Sequence, residues 1–294
     1  MKIIDMLVVV LLFFVCTRVF AEDQCIPEER WLLPASGETY ALHDFLPVIK
    51  DKRVVLLGEH HANAAHHQWQ STIIKHLFKV RPQLMLGLEV FPRRLQPVLD
   101  QWVQGTMSKT QFLTAIDWDS IWGYELSHYM PLFEFAQQNG IPMIALNVDK
   151  KLTAMVRENG WQAVPVDQRE GVLDPAAPLR EYVKNLALSY QGHGRIQSGK
   201  ARNLAFLRFV EQQLLWDGAM ADAIVNAVEN NSESMLVAMM GSWHIIRRHG
   251  VPHQLQAKGV KDSLVLVPWD NHLDCGTLTA DFADAVYGTL ASVK

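Results

Sequence analysis

Two short turns carry the residues of this chain best suited to chemistry. Each is a glycine followed three positions later by a histidine, directly after an apolar run. Arg53-Val54-Val55-Leu56-Leu57 leads into Gly58-Glu59-His60-His61, and Met235-Leu236-Val237-Ala238-Met239-Met240 leads into Gly241-Ser242-Trp243-His244. Imidazoles bind transition metals and haem iron, and they also exchange protons near neutral pH. Glu59 stands two positions before His61, and Glu89 ends a second apolar run. Either carboxylate is able to ligate a metal, orient a histidine or act as a base. The Gly-x-x-His spacing alone says little, because Gly250-Val251-Pro252-His253 repeats it with no strand-like run in front. What distinguishes the first two turns is their context, since ligands of parallel sheets bind beyond the carboxyl ends of the strands.

More candidates cluster around these turns. His60, His61, His66 and His67 fall within eight positions, and one helical turn returns His66 or His67 to the side of His61. The plain alternative is a solvated, histidine-rich helix start. Burying Glu89 alone would be costly, so its alternative role is a salt bridge to Arg93 or Arg94. Gln213 and Asp217 share a helix face at i and i+4, either reaching the cleft or tying helix to sheet. Arg247 and Arg248 follow His244, and a guanidinium suits a propionate, carboxylate or phosphate; a charged helix start is the alternative. Tyr190 and His193 sit in a stretch rich in glycine and charge, and either is able to offer an axial ligand to haem iron. Trp69, Trp102 and Trp161 read as core. The chain has no Gly-x-Ser-x-Gly elbow, no His-Glu-x-x-His pair and no phosphate-binding Gly-x-x-x-x-Gly-Lys-Ser/Thr loop, which argues against the corresponding enzyme classes.

Apolar runs at 54–57, 83–90, 142–147, 235–240 and 264–267 read as strands. Between them the pattern predicts helices at 64–80 behind an Asn63 cap, 92–103 opened by Pro92, 108–116, 129–139 ended by Gly140, 150–158 and 201–228. A last helix is predicted at 282–290. Residues 159–199 are dense in proline, glycine and charge, and read as a helical insertion or lid. Alternating strands and helices give an α/β fold: a central, mainly parallel sheet flanked by helices. On that reading Glu59 and His61, Glu89, Asn147 and His244 all fall at carboxyl strand ends, which implies one shared cleft.

Residues 1–21 have the form of a secretory signal peptide: Lys2, an apolar core over 6–15, then Val19-Phe20-Ala21. The core is shorter than the roughly 20 residues of a spanning helix. Cys16 raises lipidation, the one route to membrane contact, but Val15 and Phe13 are poor lipobox residues. Residues 22–294 then form one domain. They retain Cys25 and Cys275 near the two ends, a disulfide in an oxidising compartment. The formal net charge is −4, one unit more negative without Lys2, Arg18 and Asp5, and no basic tract is present. Nucleic acid is therefore not an expected partner.

The stretch Leu56-Leu57-Gly58-Glu59-His60-His61-Ala62-Asn63-Ala64-Ala65-His66-His67-Gln68-Trp69-Gln70 resembles the opening motif of the ChaN-like haem-binding uptake proteins. These belong to the Tiki / erythromycin-esterase-like superfamily. Gly87-Leu88-Glu89-Val90-Phe91, Ile141-Pro142-Met143-Ile144-Ala145-Leu146-Asn147, Gln213-Leu214-Leu215-Trp216-Asp217, Gly241-Ser242-Trp243-His244 and Gly250-Val251-Pro252 follow in the family's order. The resemblance implies haem binding at the bacterial envelope for iron uptake, with His66, His67, Tyr190, His193 and Arg247 as candidate haem contacts. It also implies a secreted, periplasmic location, with outer-membrane association if Cys16 is lipidated. Envelope haem-transport components and a second copy in a homodimer are the implied partners. Related branches imply the alternative, a metal-dependent hydrolase (protease or esterase). There His61, Glu89 and His244 would hold a divalent transition metal, and Glu59, His61, Glu89 and His244 would be catalytic. Ala62 departs from the aspartate frequent in the family, which weakens the hydrolytic reading.

Overall fold

The computed structural model describes residues 25–192, 200–270 and 273–289. The apolar leader, Cys16 and His193 lie outside them. Eight strands form one sheet: β1 (Arg30–Leu32), β2 (Thr39–Ala41), β3 (Val54–Glu59), β4 (Leu84–Pro92), β5 (Met143–Asn147), β6 (Met235–Gly241), β7 (Ser263–Trp269) and β8 (Ala285–Gly288). Their order is β2-β1-β8-β7-β3-β6-β4-β5. The six strands from β8 to β5 run parallel, and the β1–β2 hairpin closes one edge antiparallel to β8.

Every residue of β3, β4 and β6 is buried, as a parallel strand covered on both faces requires. Alternation along β3 divides it between two cores. Val55 and Leu57 join one with the helices Leu42–Lys50, Ala64–Val80 and Leu126–Gln138. Val54 and Leu56 join the other, with Met220, Ile224 and Leu255 from the helices Lys200–Asn230 and Val251–Ala257. The helix Ala64–Val80 begins where the sequence places it, with the Asn63 side chain accepting the Ala65 amide at 2.9 Å. Ser108 and Gln111 form a capping box for the helix Lys109–Ile116.

Two expectations are corrected. The segment predicted as a last helix at 282–290 instead contributes β8, because Ala285-Val286-Tyr287 is taken into the sheet between β1 and β7. Pro92 does not open a helix; it ends β4 opposite Asn147, and the helix Gln96–Val103 follows a 3-10 turn. Over 159–192 the chain makes two 3-10 turns and the helix Arg180–Gly192. That helix lies along Lys200–Asn230, with Tyr182 and Leu186 packed near Val210.

β6 enters late in the chain yet pairs between β3 and β4. This insertion sets the carboxyl ends of three adjacent strands side by side, carrying Glu59 with His61, Gly241 with His244, and Glu89.

Candidate functional site

Two histidine–carboxylate pairs meet at this edge. His61 Nδ1 lies 2.7 Å from Glu59 Oε1, so the imidazole donates to the carboxylate. The same oxygen accepts the Tyr129 hydroxyl at 2.8 Å, and that hydroxyl accepts Trp122 Nε1 at 2.9 Å. His244 Nδ1 donates to Asp217 Oδ1 at 2.7 Å, and Tyr182 donates to Asp217 Oδ2 at 2.5 Å. Glu89 lies between the pairs. Its Oε2 accepts the Gly241 amide at 2.6 Å, and its Oε1 is 3.4 Å from His244 Nε2.

Two glycines allow these approaches. A Cβ on Gly241 would stand 3.1 Å from both Cε1 and Nε2 of His61, so the imidazole rests on bare backbone. A Cβ on Gly58 would fall 2.6 Å from Ser242 Oγ and 2.8 Å from Val267 Cγ1, where the second turn packs on the end of β3. The two Gly-x-x-His turns therefore touch each other.

Burial would push the His244 imidazole down, but the Glu89 charge and the hydrogen bond to Asp217 outweigh it and lift the group to about 10. Burial likewise opposes ionisation of Glu89, yet His244, His61 and the Gly241 amide hold it at about 2. His61 is also raised: burial is overcome by its bond to Glu59 and by the charges of Glu89 and Glu59. Burial raises the Tyr129 hydroxyl, with the Glu59 charge adding to it. At neutral pH the edge thus holds an ionised Glu89 against a cationic His244.

His66 and His67 are each tied to a neighbour through Nε2. His66 accepts the His60 amide on Nδ1 at 2.9 Å and pairs through Nε2 with Asp270 at 3.0 Å. His67 is kept neutral chiefly by burial. Its Nε2 reaches the His61 carbonyl at 3.0 Å, and because a carbonyl only accepts, that nitrogen carries the proton. Its bare Nδ1 then faces Glu59 Oε2 at 3.5 Å, and neither atom has a hydrogen-bond partner. His61 is different: its side chain is 23% exposed, and among the described residues Nε2 makes no hydrogen bond. A carboxylate on Nδ1 with a free Nε2 is the arrangement of metal-ligating histidines.

The remaining candidates lie apart from this cleft or frame it. Tyr190 is buried between Phe206 and Phe209 in the helical pair. Arg247 turns outward to Thr279 and Asp281, and Arg248 to Asp284 and Ser263. Arg94 pairs with Asp149, and Arg93 bonds the carbonyls of Ala219 and Glu170, so neither is the partner of Glu89. Asn147 donates to the Glu89 carbonyl at 3.0 Å. Asp217, one of two alternatives in the sequence, does reach the cleft. Tyr129, Trp122 and Tyr182 complete the site and carry no signal in the sequence.

Aromatic rings frame His61. Trp122 meets it edge-on at 4.7 Å between centroids, and Tyr124 leans on it at 5.1 Å. A hollow of about 590 Å³ opens beside Tyr124 and is lined also by Trp118 and Glu125. Among the described residues no group of three or more His, Cys, Asp and Glu side chains is arranged to hold a metal ion. His61 Nδ1, both His244 nitrogens and both Glu89 oxygens already face one another or their neighbours, so a protein-caged divalent ion does not fit this arrangement. An iron whose other ligands come from a porphyrin asks for only one or two protein atoms, and His61 Nε2 satisfies that demand. Cys25 and Cys275 are joined by a disulfide, with Cα atoms 5.4 Å apart.

An α/β sheet with paired histidine–carboxylate groups at its carboxyl edge defines the class of protein. The family model described as "Haem-binding uptake, Tiki superfamily, ChaN" matches residues 45–255, and the chain belongs to that family. Among solved structures it is similar to "Cofacial heme binding to ChaN of Campylobacter jejuni", at TM-score 0.72 and 18% identity, covering 90% of this chain and 100% of that one. That likeness shows the fold. A mutant of the erythromycin esterase EreC in its open conformation aligns at TM-score 0.49 and 13% identity over 82% of this chain and 77% of that chain. A curated relative, the chloroplastic Protein RETICULATA-RELATED 5 of Arabidopsis thaliana, is 25% identical over 199 residues, 64% of this chain. The aligned part spans only 26% of that relative's length.

Proposed function

We propose that this chain binds haem at the carboxyl edge of its sheet and serves haem acquisition at the bacterial envelope. One observation carries the reading: His61 is partly exposed with an Nε2 that makes no hydrogen bond among the described residues, while Glu59 fixes its Nδ1. Family membership supports the ligand class. When bound, haem would supply an iron that takes an imidazole nitrogen as a ligand. His61 would hold that iron, and the Glu59 carboxylate would orient the ring and strengthen it as a ligand. Tyr129 and Trp122 would in turn hold Glu59.

An envelope location is supported by the basic, apolar and small-residue pattern of the leader and by the Cys25–Cys275 disulfide, which suits an oxidising compartment. The cofacial binding named for the Campylobacter relative makes a second copy of this chain the partner to test first. Haemin titrated into the full chain is expected to give a shifted Soret band that is lost or moved in His61→Ala. Absence of any Soret shift in the unmodified chain overturns the reading. A band unchanged in His61→Ala but lost on replacing Tyr190 or His193 moves the ligand to that segment.

A second reading, hydrolysis, is favoured by the two carboxylate-oriented imidazoles flanking Glu89. Ester or peptide cleavage without added metal, lost in His61→Ala, would establish it. A haem-free chain that cleaves no ester or peptide substrate removes it.

A further inference from the structure

We propose that Trp243 is the porphyrin-stacking residue of this site, a hydrophobic face held in water to receive the flat macrocycle beside His61. The inference rests on the haem-binding reading and adds a specificity-determining residue to it. Trp243 is 68% exposed, although its neighbours in the turn are fixed in place. Gly241 is buried under the His61 ring, Ser242 packs against Gly58, His244 is tied to Asp217, and Ile245 is fully buried. The 3-10 turn Ser242–His244 thus anchors the residues on both sides of Trp243 and leaves the indole outside.

The position is set by the chain itself. One residue, Ser242, separates Trp243 from Gly241, so their Cα atoms lie within about 7 Å. Gly241 is the floor on which the His61 imidazole rests. Tyr124, 41% exposed, leans on that imidazole from the first core's helical side. Among the described residues no other ring packs against Trp243, so its face is available. A large ring left in water costs apolar surface that a planar apolar ligand would cover. The ligand chemistry is therefore a macrocycle recognised by its face, with the iron recognised separately by His61.

Two probes separate these roles: haemin, and metal-free protoporphyrin IX, titrated into the full chain by absorbance. Trp243→Ala is expected to weaken both by about five- to tenfold, in the range of one aromatic contact, with the thermal midpoint unchanged. Trp243→Leu, which keeps apolar bulk without a ring face, should weaken both in the same way, and Trp243→Phe should stay within about twofold. His61→Ala is expected to weaken haemin alone. Trp243→Ala or Trp243→Leu with unchanged affinity for both porphyrins, or with a loss for haemin only, overturns the inference and leaves the haem reading standing. An unmodified chain that binds neither porphyrin overturns both.

Discussion

Glu89 and His244 stand 3.4 Å apart near the carboxyl ends of two neighbouring strands, and little of either side chain reaches solvent. His244 is also bonded to fully buried Asp217. Two carboxylates and one imidazole therefore share a buried volume, and the imidazolium charge holds them together. Breaking such a cluster from one side leaves an uncompensated charge, which costs far more than the net worth of the pair. His244→Ala is expected to lower unfolding free energy at neutral pH by about 3–5 kcal/mol. Glu89→Gln in the His244→Ala background should recover part of the loss. Urea denaturation of the two single variants and the double variant measures this; additive effects would show the pair to be uncoupled.

The same cluster sets a pH profile. Glu89 ionises at about 2 in the folded chain against an ordinary 4.5, so the unfolded chain binds its proton first as pH falls. Its contribution is complete above 4.5 and is lost as pH drops through 2. His244 titrates at about 10 when folded against 6.5, so its contribution is complete below 6.5 and is lost as pH rises toward 10. The raised His61 adds in the same direction as His244. Thermal stability should peak at about pH 5–6 and decline on both sides. In Glu89→Gln the alkaline decline should shrink. A midpoint that climbs steadily from pH 6 to 9 would contradict this assignment.

A side chain at Gly241 is expected to be costly. Its backbone conformation, φ −55° and ψ 134°, suits alanine, so the effect of Gly241→Ala comes from contact alone. The new Cβ would meet His61 at 3.1 Å on two ring atoms, so the ring must give by a few tenths of an ångström while bonded to Glu59. A loss of about 1–3 kcal/mol is expected, together with weaker haemin binding. Equal haemin affinity in Gly241→Ala would show that the ring position is not what the ligand reads.

Much of this was legible in the chain, and the limits have physical reasons. Strands buried on both faces leave continuous apolar runs, so β3, β4 and β6 announce themselves, and with them the polar residues at their ends. β8 has only four residues and gains its pairing from β1 and β7, which no local pattern records. Tyr129 and Tyr182 lie on helices whose apolar spacing reads as core; their hydroxyls matter only because the fold brings Glu59 and Asp217 to them. His66 and His67 looked like available ligands because composition shows imidazoles and hides their hydrogen bonds.

The Cys25–Cys275 bridge closes a loop of 250 residues and pins the segment before β1 to the loop that follows β7. That loop follows Asp270, the partner of His66. Replacing both cysteines by serine is expected to cost about 2–5 kcal/mol through the freer unfolded chain. Denaturation with and without reductant measures it. Equal stability of the bridged and serine-replaced chains would assign the bridge no thermodynamic role.

Tyr129 gives the sharpest test of how the first pair is tuned. Its hydroxyl donates to Glu59 Oε1, the oxygen that His61 also uses, and accepts from Trp122. Tyr129→Phe removes one donor from the carboxylate and leaves the Trp122 N–H without its acceptor. A loss of about 1–3 kcal/mol is expected for the group left unpaired. The effect on His61 has a definite sign. With less of its charge neutralised, Glu59 holds the imidazolium more strongly, so the already raised His61 should move further up. An NMR titration of the histidine ring protons in the two proteins reads this directly. A His61 that titrates unchanged, or falls, would mean that Tyr129 supports the fold around Glu59 without setting the charge that His61 feels.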